Sequence, residues 1–277
     1  MSESHSERQT QTADGALARR ITTELAWSDL VLDAAVLKDV EDIVSWIRHG
    51  ETLMEAWGLK RRLKPGYRSL FYGPPGTGKT LTALLIGKHT GYEVYRVDLG
   101  LLLVKPVAET EESLKTLFEQ ARRRHWILFF DEADSLFGKR TADADANDRA
   151  ANQQAAYLLQ RIEDFQGVAI LASNAVSQVD EAFARRFQSL IRFPLPDAAL
   201  RLQIWRGLFT DAPFKTAGDV DLDQLAREFE LSGGGIVNAL RHACLQAVAR
   251  ETRDVTMADL SAGARRERRK GSAFADG

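Results

Sequence analysis

The sequence predicts an α/β fold in which a parallel sheet is followed by a small all-helical domain. Three observations predict it. Short apolar runs alternate with stretches of helical period between residues 69 and 193. One run, Trp126-Ile127-Leu128-Phe129-Phe130, is apolar without interruption, as a strand buried on both faces must be. After Pro194-Leu195-Pro196 the strand-like runs stop and only helical patterns follow. The proline pair cannot sit inside a helix and marks the boundary.

The elements follow in order. Residues 1–20 are polar, rich in Ser, Thr, Gln and Glu, and read as a flexible tail. Ser69-Leu70-Phe71-Tyr72 is a strand running into a Gly-Pro-Pro-Gly turn, and Leu81, Leu84 and Leu85 open a helix after it. Glu93-Val94-Tyr95-Arg96-Val97 is the next strand. Leu114, Leu117, Phe118 and Ala121 then repeat at helical spacing. That helix opens with Glu109, Glu111 and Glu112 and closes with Arg122 to Arg124, charges that suit its dipole. The Trp126 strand follows, then Gly167-Val168-Ala169-Ile170-Leu171-Ala172, then a weaker strand at Leu190-Ile191-Arg192-Phe193. Helical patterns close the chain at about 197–209, 221–230, 235–250 and 256–264, and the basic run Arg265-Arg266-Glu267-Arg268-Arg269-Lys270 lies beyond them.

Composition narrows the function classes. Apolar residues are 44% and charged residues 27%, enough for a sizeable core. Net charge is −2, too near neutral for a bulk electrostatic binder of nucleic acid or membrane. The N-terminus has no apolar core of a signal peptide, and no stretch approaches ~18 uninterrupted apolar residues, so no membrane span is expected. The single cysteine, Cys244, can form no intramolecular disulfide, which fits a reducing, cytoplasmic setting. None of the five histidines forms H-E-x-x-H, which excludes a metalloprotease of that type.

Two motifs carry chemistry. Gly73-Pro74-Pro75-Gly76-Thr77-Gly78-Lys79-Thr80 matches G-x-x-x-x-G-K-[ST], between a strand and a helix that opens at Leu81. Glycines let backbone N–H groups wrap phosphates without Cβ clashes, and the helix N-terminus adds positive character. Lys79 places a point charge on the β- and γ-phosphates, and the Thr80 hydroxyl can ligate Mg²⁺. The second motif is the acidic pair Asp131-Glu132 at the end of the apolar strand, where open α/β sheets bind ligands. Asp131 would hold the Mg²⁺, and Glu132 would polarise the water that attacks the γ-phosphate. Asp134 reads as a cap of the next helix. The cofactors expected from these two motifs are therefore a nucleoside triphosphate and Mg²⁺.

Taken together, GPPGTGKT, FFDEADSLFGKR, LASN and DEAFARRFQSLIRFPLP resemble the AAA clade of AAA+ ATPases, over about residues 26–264. The resemblance makes the nucleotide ATP and implies a P-loop NTPase sheet of order 5-1-4-3-2, a helical lid and assembly into a ring of six copies. It divides the chain into a flexible tail (1–20), a nucleotide-binding domain (21–196), a lid (197–264) and a basic flexible tail (265–277). It makes Asn174 a polar sensor of the γ-phosphate or its attacking water. Arg186, with Arg185 as the alternate, becomes a finger reaching the ATP of the neighbouring subunit. Trp27-Ser28-Asp29-Leu30-Val31 resembles the segment that packs on adenine, through Leu30 and Val31.

Three departures stand out. Ser189 occupies the place of a second arginine. Gly233-Gly234-Gly235 stands where a lid arginine is found in other members. In the pore-loop segment Lys105-Pro106-Val107-Ala108-Glu109, Pro106 and Ala108 replace an aromatic residue and a glycine. Either Val107 and Leu103 grip a polypeptide, or threading is weak or absent. Longer stretches, among them WILFFDEADSLFGKRT and YLLQRIEDF, resemble the stand-alone AAA ATPase of bacterial phage-tail-like contractile injection particles. The expected function is a protein-remodelling ATPase with a protein client or particle component as partner. An ATP-regulated scaffold with slow hydrolysis and a nucleic-acid loader are the alternatives.

Overall fold

The computed structural model describes residues 17–104, 107–137, 146–174, 184–210 and 212–273. Its centre is a six-stranded sheet of β1 (Ala18–Ile21), β2 (Tyr67–Tyr72), β3 (Glu93–Val97), β4 (Trp126–Phe130), β5 (Val168–Ser173) and β6 (Ser189–Arg192), in the order β1-β3-β4-β5-β2-β6. All pairs are parallel except β1 with β3. The five parallel strands, numbered among themselves along the chain, stand in the expected order 5-1-4-3-2.

The uninterrupted apolar run in β4 has a simple cause. Trp126, Leu128 and Phe130 enter the core on one face of the sheet, and Ile127 and Phe129 enter the core on the other. Helices α4 (Val107–Arg124) and α5 (Ala146–Asp164) supply the first core; α1 (Ala34–Glu51) and α2 (Lys79–Thr90) supply the second. A short helix, α3 (Leu99–Val104), lies between β3 and α4. All five β4 side chains are buried, and each large one contributes about 1.5–3 kcal/mol. Burial on both faces leaves only the strand's C-terminal end, at Asp131, open for chemistry.

Residues beyond 197 build a third core of their own around the fully buried Trp205. Its helices are α6 (Ala198–Phe209), α7 (Leu222–Glu228), α8 (Gly233–Ala249) and α9 (Met257–Ala273). Buried Arg201 donates from Nε to the Ala226 carbonyl (2.7 Å) and from Nη1 to the Pro196 carbonyl (2.6 Å). It thereby ties α6 to the end of α7 and to the joint between the two halves. Among the described residues no helix is long and apolar enough to cross a membrane.

Three details differ from the sequence expectation. The tail assigned to residues 1–20 ends in β1, because Leu17 is buried in the first core and Arg20 pairs with Glu93 across the strands at 3.1 Å. Residues 1–16 lie outside the described residues. The basic run 265–270 is not a tail but part of α9: Lys270 pairs with Glu267 one turn back, Asn238 of α8 donates to Glu267, and Arg268 lies 5.6 Å above the Phe229 ring. The lid also contains a two-residue parallel ladder, β7 (Lys215–Thr216) with β8 (Asp254–Val255).

α9 begins in a capping box. Thr256 Oγ1 accepts from Asp259 N–H (3.3 Å), and Asp259 Oδ2 accepts from Thr256 N–H (3.1 Å). The Arg250 guanidinium and the Thr256 groups beside Asp259 hold its carboxyl at about 2. A carboxyl depressed below 3.8 stabilises the fold above that pH, and the contribution is lost as pH falls toward 2. Asp259→Ala is expected to cost about 1 kcal/mol at neutral pH, the usual worth of a cap. It should also flatten the fall in urea stability between pH 4 and pH 2; an unchanged acid slope would contradict the assignment.

Candidate functional site

The glycine-rich loop leaves the end of β2 and enters α2 at Lys79. Gly73 has φ 145°, and a Cβ there would lie 2.1 Å from the Phe193 carbonyl oxygen, so the loop can leave the sheet only through a glycine. Thr77 Oγ1 closes the loop by donating to the Pro74 carbonyl at 2.9 Å. The buried Lys79 ammonium donates to Gly73 O (2.7 Å), Pro74 O (2.9 Å) and Asn174 Oδ1 (2.8 Å). Burial lowers its pKa, and the nearby Asp131 and Asp134 carboxylates oppose the drop. The ammonium is thus held inside the loop that the sequence motif assigns to phosphates.

The acidic pair sits beside it. Asp131 Oδ1 accepts from the Glu132 N–H (3.1 Å), and Arg96 on β3 approaches Asp131 Oδ2 at 3.2 Å. Glu132 adopts φ 54°, the left-handed region that a long side chain rarely takes, and its residue is exposed. Asn174 follows β5 and reaches across to Lys79.

Sequence reasoning left Asp134 as a cap. The structure gives it a larger part: its carboxylate accepts from the Ser173 hydroxyl and from the Asn174 N–H at 3.1 Å. It pins the end of β5, and with it the amide that meets Lys79. The signal was the third acid of Asp131-Glu132-Ala133-Asp134, two positions beyond the pair.

Lys79, Asp131, Glu132 and Asn174 line one cavity of about 800 Å³. Pro75 to Leu81 form its floor, and Asp131, Glu132 and Asn174 stand at one end. Leu30 and Val31 line it from the segment before α1. The lid closes it with Ile204, Gly233, Gly234 and Val237. The lid touches the loop directly: Gly234 N–H donates to Gly76 O at 2.9 Å. A Cβ on Gly76 would meet the Ser232 hydroxyl at 2.6 Å. Gly234 and Gly76 therefore let two backbones meet where a side chain would crowd them.

Arg186 does not line this cavity. Its guanidinium pairs with Glu163 at the end of α5, at 2.7 Å. Arg185 is exposed, and the Ser189 hydroxyl donates to Ser69 Oγ at 2.8 Å. Lys105 and Pro106 lie outside the described residues, and Ala108 falls in the first turn of α4.

The family model described as "ATPase family associated with various cellular activities (AAA)" matches residues 69–195. The chain is 32% identical over 232 residues to ATPase family gene 2 protein homolog A of Homo sapiens, covering 81% of this chain and 25% of that protein. It is 31% identical over 230 residues to the proteasome-activating nucleotidase of Methanopyrus kandleri, covering 80% and 51%. It is 32% identical over 231 residues to the uncharacterized AAA family ATPase y4kL of Sinorhizobium fredii, covering 83% and 66%. The chain thus spans between a quarter and two thirds of the length of these curated relatives. With the sheet order, the phosphate loop and the acidic strand end in one cavity, these matches place the chain in the AAA family of ATPases.

Proposed function

We propose that the protein hydrolyses ATP in the cavity beneath its lid and uses the cycle, as a ring of identical subunits, to remodel a protein client. The observation that supports this best is the convergence of Lys79, Asp131, Glu132 and Asn174 on one cavity that Leu30, Val31 and Val237 also line. In this reading Gly73 to Thr80 cradle the triphosphate, and Lys79 Nζ exchanges its two loop carbonyls for β- and γ-oxygens. Glu132 takes the proton of the attacking water, and Asn174, held by Asp134, orients that water against the γ-phosphate. Leu30, Val31 and the lid glycines receive the base.

A divalent ion fits the donor set. The Thr80 hydroxyl and the Asp131 carboxylate are hard oxygens on the same cavity, a pair suited to Mg²⁺ carried mainly by phosphates. When bound there, Mg²⁺ neutralises charge on the β- and γ-oxygens.

The ring belongs to the proposal through Arg186, which stands outside its own cavity and is free to serve another only after leaving Glu163. Six copies is the size the family resemblance implies. The client we assign is a component of a contractile injection particle, in its assembly or cargo loading. That narrower reading is supported by the long stretches resembling the ATPase of such particles. Arg186→Ala protein is expected to keep its ATP affinity and lose turnover by roughly 10³-fold or more. Mixing it with Lys79→Ala subunits should restore part of the activity, because each supplies what the other lacks. Steady-state phosphate release checks both; normal hydrolysis by Arg186→Ala alone refutes the interface finger.

A scaffold with slow hydrolysis is the second reading. It is favoured by the engagement of Arg186 with its own Glu163 and by Ser189 in place of a second arginine. It predicts that particle components bind wild type and the slow Glu132→Gln protein equally well. The remodelling reading predicts that they accumulate on Glu132→Gln. A nucleic-acid loader has less support, since the basic run is a turn of α9 partly engaged with Glu267.

A further inference from the structure

The helix that receives the phosphates also holds the opposite side of the nucleotide cavity. The N-terminus of α2 carries Lys79 and Thr80. In its last turn, Lys88 Nζ donates to three consecutive carbonyls, those of Thr23 (3.4 Å), Glu24 (3.0 Å) and Leu25 (2.8 Å). An ammonium has three donors, and here all three are directed at one stretch of backbone. The next residue, His89, stacks on Trp27 with ring centroids 4.7 Å apart and planes 27° from parallel.

The stretch so held is the one that walls the cavity: Leu25 and residues 28–32 line it. Between β1 and α1 it has no sheet partner and only one short 3₁₀ turn, Trp27–Asp29. That turn is closed locally by Ala26 N–H to Asp29 Oδ2 at 2.7 Å. Fixing each residue in one backbone conformation costs conformational entropy, so such a wall keeps its place only if something outside it holds it. Trp27 and Leu32 pack on the second core, and Lys88 and His89 add a hold from two directions, one through backbone carbonyls and one through a ring face. Both sit on the same rigid helix as the phosphate contacts, so α2 sets the spacing between the phosphate end and the far wall.

We infer that Lys88 and His89 are positioning residues for the base of the nucleotide: they fix the wall bearing Leu30 and Val31 and set the preference for a nucleoside over bare phosphates. The inference rests on the reading of this cavity as the ATP site. The test uses the full chain and compares Lys88→Met, His89→Ala and Lys88→Arg with wild type. Binding of ATP and of inorganic tripolyphosphate is measured by calorimetry, and kcat and KM are measured separately. Losing one side of the hold is expected to raise the Kd and KM for ATP about five- to tenfold. Tripolyphosphate affinity and kcat should stay within about twofold, because the phosphate end is untouched, and Lys88→Arg should recover most of the loss. An equal loss for ATP and tripolyphosphate overturns the inference, as does an unchanged ATP affinity in both Lys88→Met and His89→Ala. Should Lys88→Met fail to fold, His89→Ala gives the same comparison. If wild type itself binds tripolyphosphate but gains nothing from the nucleoside, the ATP-site reading fails and not merely the role of these two residues.

Discussion

Glu132→Gln protein is expected to bind ATP with near-wild-type affinity and to hydrolyse it at least ~10²-fold more slowly. The substitution preserves size and hydrogen-bonding reach and removes the ability to take a proton. Binding should survive because the proposed phosphate contacts come from Gly73 to Thr80, whose loop is shaped by the bonds of Thr77 and Lys79. The fold should survive because Glu132 is exposed, while the turn that carries it is held by Asp131 Oδ1 accepting from its N–H. Equilibrium nucleotide binding and steady-state phosphate release separate the two effects. Unimpaired turnover would assign the base elsewhere.

Lys79→Ala is expected to lose ATP binding by at least ~10²-fold, about 3 kcal/mol, since the ammonium is the one cationic side chain described inside the loop. The loss should not come from unfolding. Burial already penalises the charged lysine in the fold, as its lowered pKa indicates, so removing it takes away a strained cation. The carbonyls of Gly73 and Pro74 lose a donor, as does Asn174 Oδ1, which lines the open cavity and can turn to water. The thermal midpoint should therefore move little while calorimetric ATP binding disappears. A protein that still binds ATP tightly would show that the loop's backbone N–H groups suffice.

Much of this was legible from residue pattern alone. β4 and β5 were visible because burial on both faces writes an apolar run, most plainly in Trp126 to Phe130. The loop residues and Asp131-Glu132 were visible because phosphate chemistry restricts both residue type and spacing. What escaped was set by partners distant in sequence. Nothing in Ala18-Arg19-Arg20-Ile21 announces a strand; it becomes one because β3 offers an edge and Glu93 a counter-charge. The basic run read as a solvated tail, yet Glu267 inside it and Phe229 outside it carry the helix through. Asp134 looked like a cap because its partner, the end of β5, lies 39 residues on. The cis pairing of Arg186 with Glu163 depends in the same way on two elements meeting in space.

The sheet order has a consequence for how the chain is made. β2 sits between β5 and β6, and its partners are residues 168–173 and 189–192. On a ribosome the strand that leads into the phosphate loop emerges about 100 residues ahead of either neighbour, which at ~5–20 residues per second is a wait of roughly 5–20 s. During that interval Leu70 and Phe71, both fully buried in the finished sheet, have no strand to lie against. The order that sets β2 between β5 and β6 therefore makes it the strand that waits longest for a partner. The nascent chain is most in need of protection at the segment on which its chemistry depends.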